Sequence, residues 1–135
     1  MTTKPETKFW KRIKNNASKI TWTRLEAVTP AGLPDLLGFF NDSKKGPLDI
    51  WTELKVTKGK RIKLSPGQIS WHMNRFKLGG KSFILANPLP RGGILVYSGG
   101  RTLDLATSGL SLEPCAFFPE PCAWIDLESW LIDRS

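Results

Sequence analysis

Gly32-Leu33-Pro34-Asp35, running on into Leu36-Leu37-Gly38-Phe39-Phe40, is the stretch from which the chain can be read. Glycine and proline make a turn, an aspartate closes it, and a run follows that is apolar at both alternating sets of positions. Such a run predicts a strand, Leu36 to Phe40, covered on both faces and therefore central in a sheet. Ile50 to Val56 reads as its neighbour. Alternation puts Ile50, Thr52, Leu54 and Val56 on one face, and Trp51, Glu53 and Lys55 on the other. Two charged groups on one face of an inner strand are costly unless they are paired or bound to something. The polar loop from Asn41 to Pro47 suits an antiparallel connection, which brings Asp35 close to Glu53.

Upstream, Thr3-Lys4-Pro5-Glu6 has the form of a helix start, with Thr3 as cap and Glu6 at capping-box spacing. The helix is expected to reach about Asn16 or Ala17, with Phe9, Trp10, Ile13 and Ala17 as its apolar face. Glu6 lies on that side too. It is either the capping partner or an additional carboxylate reaching the Asp35–Glu53 region from beneath the sheet. Ile20 to Val28 reads as a strand with Trp22, Arg24 and Glu26 on one face. Arg24 and Glu26 form a solvated pair or line the same cleft as Asp35. Thr29 to Gly32 is turn material.

Downstream, Lys55, Lys58, Lys60, Arg61 and Lys63 place five positive charges in nine residues. That loop is a phosphate-contacting surface in form, carrying charge but no base-reading information. Leu64-Ser65-Pro66-Gly67-Gln68 is a second helix start, with Ser65 as cap, Pro66 in the first helical position and Gln68 completing the box. This helix is expected to stop at Gly79-Gly80. Gln68, His72 and Arg75 share its polar stripe, where His72 is read as polar-face structure or a DNA contact. Ser82 to Ala86 reads as a strand. Ile94–Tyr97 and Thr102–Leu105 are expected to form a hairpin through Ser98-Gly99-Gly100-Arg101. Pro114 to Pro121 is proline-rich, and Ile125 to Asp133 is a short closing helix.

Composition bounds the reading. The 135 residues suit one domain, and the hydrophobic fraction of 40% and charged fraction of 24% are ordinary for a globular protein. Neither a bilayer-spanning apolar run nor a signal-peptide core is visible, so the expected location is the cytoplasm, that of the host cell if the source is a phage. Cys115 and Cys122 are read as reduced thiols. Two cysteines and one distant histidine do not make a zinc site. Residues 1–81 carry 17 of the 20 Lys/Arg and 6 of the 12 acids, a net of +11, against −3 for residues 82–135. A polyanion would engage the first part of the chain.

Paired carboxylates beside a lysine suit hydrolysis of a phosphodiester. A divalent cation neutralises the phosphate, acidifies a water and stabilises the departing oxygen. Mg²⁺ needs only a few carboxylates, with waters and substrate oxygens completing its shell. Asp35, Glu53 and the backbone carbonyl of Leu54 are the candidate ligands. Lys55 is placed to orient or deprotonate a water, or to stabilise the crowded phosphate. Gln68 is placed to hold water or phosphate by its amide. The bland alternative is a Glu53–Lys55 ion pair on the strand face and a simple turn at Pro34-Asp35.

Gly32-Leu33-Pro34-Asp35, Glu53-Leu54-Lys55 and Leu64-Ser65-Pro66-Gly67-Gln68, in that order, resemble the PD-(D/E)xK nuclease superfamily. The pattern is most similar to its VRR-NUC branch and to archaeal-type Holliday junction resolvases. The resemblance covers residues 4–87 and implies an α/β, restriction-endonuclease-like core, α-β-β-β-α-β, with a mixed sheet flanked by helices. A C-terminal extension, 88–135, would add a hairpin and a short helix to a single nuclease domain, 1–135. The implied activity is Mg²⁺- or Mn²⁺-dependent DNA endonuclease action on branched DNA, carried out by a homodimer. Asp35 and Glu53 would be ligands, Lys55 catalytic, Gln68 the downstream motif residue and Glu6 a tentative further ligand. Lys58, Lys60, Arg61, Lys63, Arg75 and tentatively Arg24 would contact nucleic acid. No organic cofactor and no membrane is implied. The alternatives are a general or nicking nuclease of the same superfamily, and a non-catalytic DNA-binding module. An RNA-binding domain that stacks bases on its tryptophans fits less well, since those residues sit at core-like spacings.

Overall fold

Among the described residues six strands form one mixed sheet in the sequential order β1-β2-β3-β4-β5-β6. The computed structural model describes residues 4–25 and 32–135. The strands are β1 (Thr21–Arg24), β2 (Leu36–Asp42), β3 (Gly46–Thr57), β4 (Phe83–Pro88), β5 (Ile94–Ser98) and β6 (Ala116–Phe118). The helices are α1 (Pro5–Asn16), α2 (Pro66–Lys77), α3 (Thr102–Ser108) and α4 (Trp124–Arg134). The order α1-β1-β2-β3-α2-β4 is the expected core. Among the described residues only β3 and β4 pair in parallel, and α2 makes the crossover that a parallel pair needs.

The larger core lies on the Ile50–Leu54 face of β3. There Phe9, Ile13 and Ala17 of the α1 region and Leu127, Leu131 and Ile132 of α4 pack on Leu36, Ile50, Leu54, Phe83 and Leu85. A smaller cluster on the other face joins Ile84, Ala86 and Tyr97 to Leu105 of α3 and to Ile62. Glu53 pairs in register with Ile84, so it stands on this second face, under α2. None of the helices among the described residues is long and apolar enough to cross a membrane.

Several details differ from the sequence reading. The N-cap position of α1 falls on Lys4, which makes no side-chain cap, while Thr3 lies outside the described residues. Glu26 to Val28, in the strand expected over Ile20 to Val28, also lie outside the described residues; β1 is Thr21–Arg24, and neither Ile20 nor Leu25 belongs to it. β2 is not covered on both faces. Leu36 and Gly38 are buried, but Phe39 is 46% exposed, because α2 lies over β3 and leaves the outer face of β2 open.

The second hairpin is also different. Thr102 to Leu105 is part of α3, not a strand. A short apolar run is ambiguous by periodicity, and here Asp104 in the first turn and Gly109 at the C-cap favour the helix. β5 instead pairs with β4 on one side and with β6 on the other. β6 lies inside the proline-rich stretch, where an edge strand tolerates flanking prolines. The closing helix is present as α4.

Candidate active site

The turn before β2 is held against the first turn of α2. Gly32 has φ +117°, and a Cβ there would collide with the carbonyl of Gly67. Only glycine allows both the backbone angle and that approach. The register then does the rest. Leu36 faces Thr52, so Asp35 emerges beside Glu53. Asp35 Oδ2 accepts from the backbone N–H of Leu54 at 2.8 Å.

Glu53 is buried, 1% exposed. Its carboxyl is within hydrogen-bonding reach of Asp35. Burial first, then the hydrogen bond with Asp35 and the charge of Asp35, hold its pKa well above the usual carboxylate range, against the pull of Lys55. Gln68 bridges the remaining partners. Its Oε1 accepts from Lys55 Nζ at 3.0 Å and from the backbone N–H of Ser65 at 3.0 Å. Its Nε2 donates to Glu53 Oε2 at 3.3 Å. The capping box is complete, with Gln68 N donating to Ser65 Oγ at 3.1 Å. One amide thus closes the helix start and joins the carboxyl to the lysine.

A groove of about 770 Å³ opens over this group, lined by Glu6, Lys55, Lys58, Arg61, Lys63 and Gln68 among others. Glu6 stands at its rim. The residue is exposed overall, yet enough protein surrounds its carboxyl that burial, then the charge of Asp35, raises its pKa. Lys58, Lys60, Arg61 and Lys63 are all exposed on the loop beside the groove. Arg24 donates to Thr7 Oγ1 at 3.4 Å, and its charge acts on Glu6. Arg75 is not brought to the groove. Its guanidinium lies 5.7 Å from the ring centroids of both Trp51 and Trp71, and its Nε donates to the carbonyl of Lys81 at 2.6 Å.

His72 is fully buried, which removes it as a DNA contact. Its Nε2 lies 3.4 Å from Glu53 Oε1 and its Nδ1 2.7 Å from Ser82 Oγ. Burial pushes its pKa down to about 4, so the ring is neutral near pH 7. Ser82 had no signal in the sequence beyond opening a strand. His72 had one, its position one turn after Gln68 on the same stripe.

No three His, Cys, Asp or Glu side chains among the described residues converge as a ready-made metal cluster. The donor chemistry nevertheless fits a hard divalent cation. Asp35 and Glu53 are neighbouring acceptor groups, burial and the charge of Asp35 raise the pKa of Glu53, and a cation between them would offset that repulsion.

Compared with known proteins, the sequence matches no family profile and no curated protein. Among solved structures it is similar to Hjc, a Holliday junction resolvase from the archaeal hyperthermophile Archaeoglobus fulgidus. The identity is 14% and the TM-score 0.47, over 70% of this chain and 74% of that one. A likeness of that degree carries no functional argument.

Proposed function

We propose that the 135 residues act as one metal-dependent DNA endonuclease domain, hydrolysing phosphodiester bonds at the Asp35–Glu53–Lys55 site and preferring branched DNA. The observation that carries this reading is the convergence of Asp35, bonded to the Leu54 N–H, with buried Glu53 and with Lys55, the last two held by one amide, Gln68. Structural ion pairs do not need two acids in contact, and their repulsion suits a cation-holding role.

Asp35 and Glu53 would hold Mg²⁺ or Mn²⁺, with the Leu54 carbonyl and Glu6 as further candidate donors. The bound cation would neutralise phosphate charge and acidify a water. The chain's own groups do the remaining work. Lys55, fixed by Gln68, would present its side-chain nitrogen to a phosphate oxygen as negative charge builds on the phosphoryl oxygens. The P–O bond to the leaving sugar breaks as the new P–O bond to water forms, and the proton that the water gives up is returned, through solvent, to the departing sugar oxygen. The exposed Lys58–Lys63 loop holds flanking phosphates without reading bases. Symmetric resolution of a junction needs two sites related by a two-fold axis, so the reading includes a homodimer.

The test is cleavage of a labelled four-way junction and of linear duplex with Mg²⁺. Paired symmetric nicks on the junction alone are expected. Equal cutting of both substrates would favour a general or nicking nuclease. Asp35→Ala and Glu53→Ala should abolish cleavage while keeping DNA binding. Absence of calorimetric Mn²⁺ binding in the unaltered chain would leave only a DNA-binding module.

A further inference from the structure

We infer that His72 is a positioning residue for the Glu53 carboxyl, braced from behind by Ser82 and by the glycine turn at Gly99. The inference rests on the reading of Asp35 and Glu53 as the cation-holding pair, and adds how one of them is aimed. It also gives the C-terminal extension a part in the site.

The three residues form a line through the interior: Glu53 Oε1, His72 Nε2, His72 Nδ1, Ser82 Oγ. Glu53 is 1% exposed, His72 0% and Ser82 4%. Polar groups this deep are costly unless their hydrogen bonds are met, and here both ring nitrogens have partners. An apolar side chain of similar size would fill the space without that demand, so the ring's contribution lies in its direction. A neutral imidazole has one donor and one acceptor nitrogen. An ionised Glu53, the form that holds a cation, accepts from Nε2–H, and Nδ1 then accepts from the Ser82 hydroxyl.

Both carboxyl oxygens of Glu53 are thereby assigned. Oε1 faces His72 and Oε2 faces Gln68, so the carboxyl plane is held at both corners. The ring has little freedom to swing. Trp71 meets it edge-on, with centroids 5.1 Å apart and planes at 81°. Behind it, the backbone N–H of Gly99 donates to the carbonyl of Ser82 at 2.8 Å. A Cβ on Gly99 would collide with Ser82 Oγ and come within 3.1 Å of His72 Nδ1. The turn after β5 can close over the line only as glycine. Partners that hold a ligating carboxylate in this way commonly change metal affinity by about 10- to 100-fold.

Two near-isosteric variants of the full chain separate direction from filling. In His72→Gln the amide nitrogen falls near the place of Nε2 and can still donate to Glu53. In His72→Asn it falls near Nδ1 and reaches Ser82 alone. The readouts are calorimetric Mn²⁺ binding, thermal melting, and the Glu53 side-chain carboxyl ¹³C resonance in the metal-free protein. The expected result is wild-type Mn²⁺ affinity in His72→Gln and affinity about tenfold weaker or worse in His72→Asn, with similar melting for both. Gly99→Ala should weaken binding in the same direction. Equal Mn²⁺ affinity in the two histidine variants, or losses that simply follow melting, would overturn the inference. If the unaltered chain binds no Mn²⁺, the nuclease reading fails, and the carboxyl resonance decides. A shift in His72→Asn but not in His72→Gln upholds the positioning role, and any other pattern ends it. Should either histidine variant fail to fold, Ser82→Ala takes its place. A displaced Glu53 resonance then supports the role and an unmoved one overturns it.

Discussion

Lys55 Nζ donates to Gln68 Oε1 at 3.0 Å, tying the charged face of β3 to the first turn of α2. The same oxygen completes the helix cap, so Gln68→Ala has two separable effects. Loss of the cap should cost about 1 kcal/mol of stability, read by denaturant unfolding. Loss of the lysine's anchor should lower single-turnover cleavage by about tenfold or more under conditions where the variant is fully folded. A cleavage loss no larger than the unfolded fraction explains would remove Gln68 from the site.

Glu53 and His72 predict opposite pH slopes for the stability of the metal-free protein. Glu53 has a raised pKa in the folded state, so its contribution is complete below the ordinary carboxyl value of 4.5 and is lost as pH climbs toward the folded value. His72 has a lowered one, so its contribution is complete above 6.5 and is lost as pH falls toward about 4. The two oppose each other between 4.5 and 6.5, and above 6.5 the Glu53 slope stands alone. Glu53→Gln should flatten the alkaline side in urea unfolding measured across pH. If Glu53 holds the cation as proposed, its raised pKa makes metal and proton compete, and apparent Mn²⁺ affinity should rise with pH over the same range.

The exposed loop bearing Lys58, Lys60, Arg61 and Lys63 should govern affinity for DNA and not the chemistry. Each alanine substitution there should reduce the slope of log binding constant against log salt by about 0.9 on duplex DNA. Mn²⁺ binding should be unchanged. A loss of cleavage at saturating DNA would mean that the loop acts in the reaction itself.

Glu128 and Thr52 are buried polar residues with opposite expectations. Glu128 Oε2 accepts from the backbone N–H of Lys19 at 2.6 Å and of Ile20 at 3.2 Å, pinning α4 to the entry of β1. Glu128→Ala leaves those donors bare and should destabilise by about 3 kcal/mol. Thr52 Oγ1 is buried with no hydrogen-bond partner among the described residues. Thr52→Val should therefore be neutral or stabilising by about 1 kcal/mol. Chemical denaturation measures both; a costly Thr52→Val would reveal a partner for that hydroxyl.

The sequence alone determined the order of the core elements. Alternation in Ile50–Val56 separates Glu53 and Lys55 from the apolar positions, and Ser65-Pro66-Gly67-Gln68 announces its helix and its cap, because both signals are local. Thr102–Leu105 reads as a strand in sequence but is helical, since four residues of mixed character do not settle a period. Tertiary structure alone decided what lies behind Glu53. His72 and Ser82 lie ten residues apart, and Gly99 is further still. No local pattern encodes their meeting, which follows from the parallel β3–β4 register and from the turn after β5 folding back over α2. Arg75 shows the same limit from the other side. Its charge suggested a nucleic-acid contact, and only packing reveals that its guanidinium is engaged by two indoles and a carbonyl.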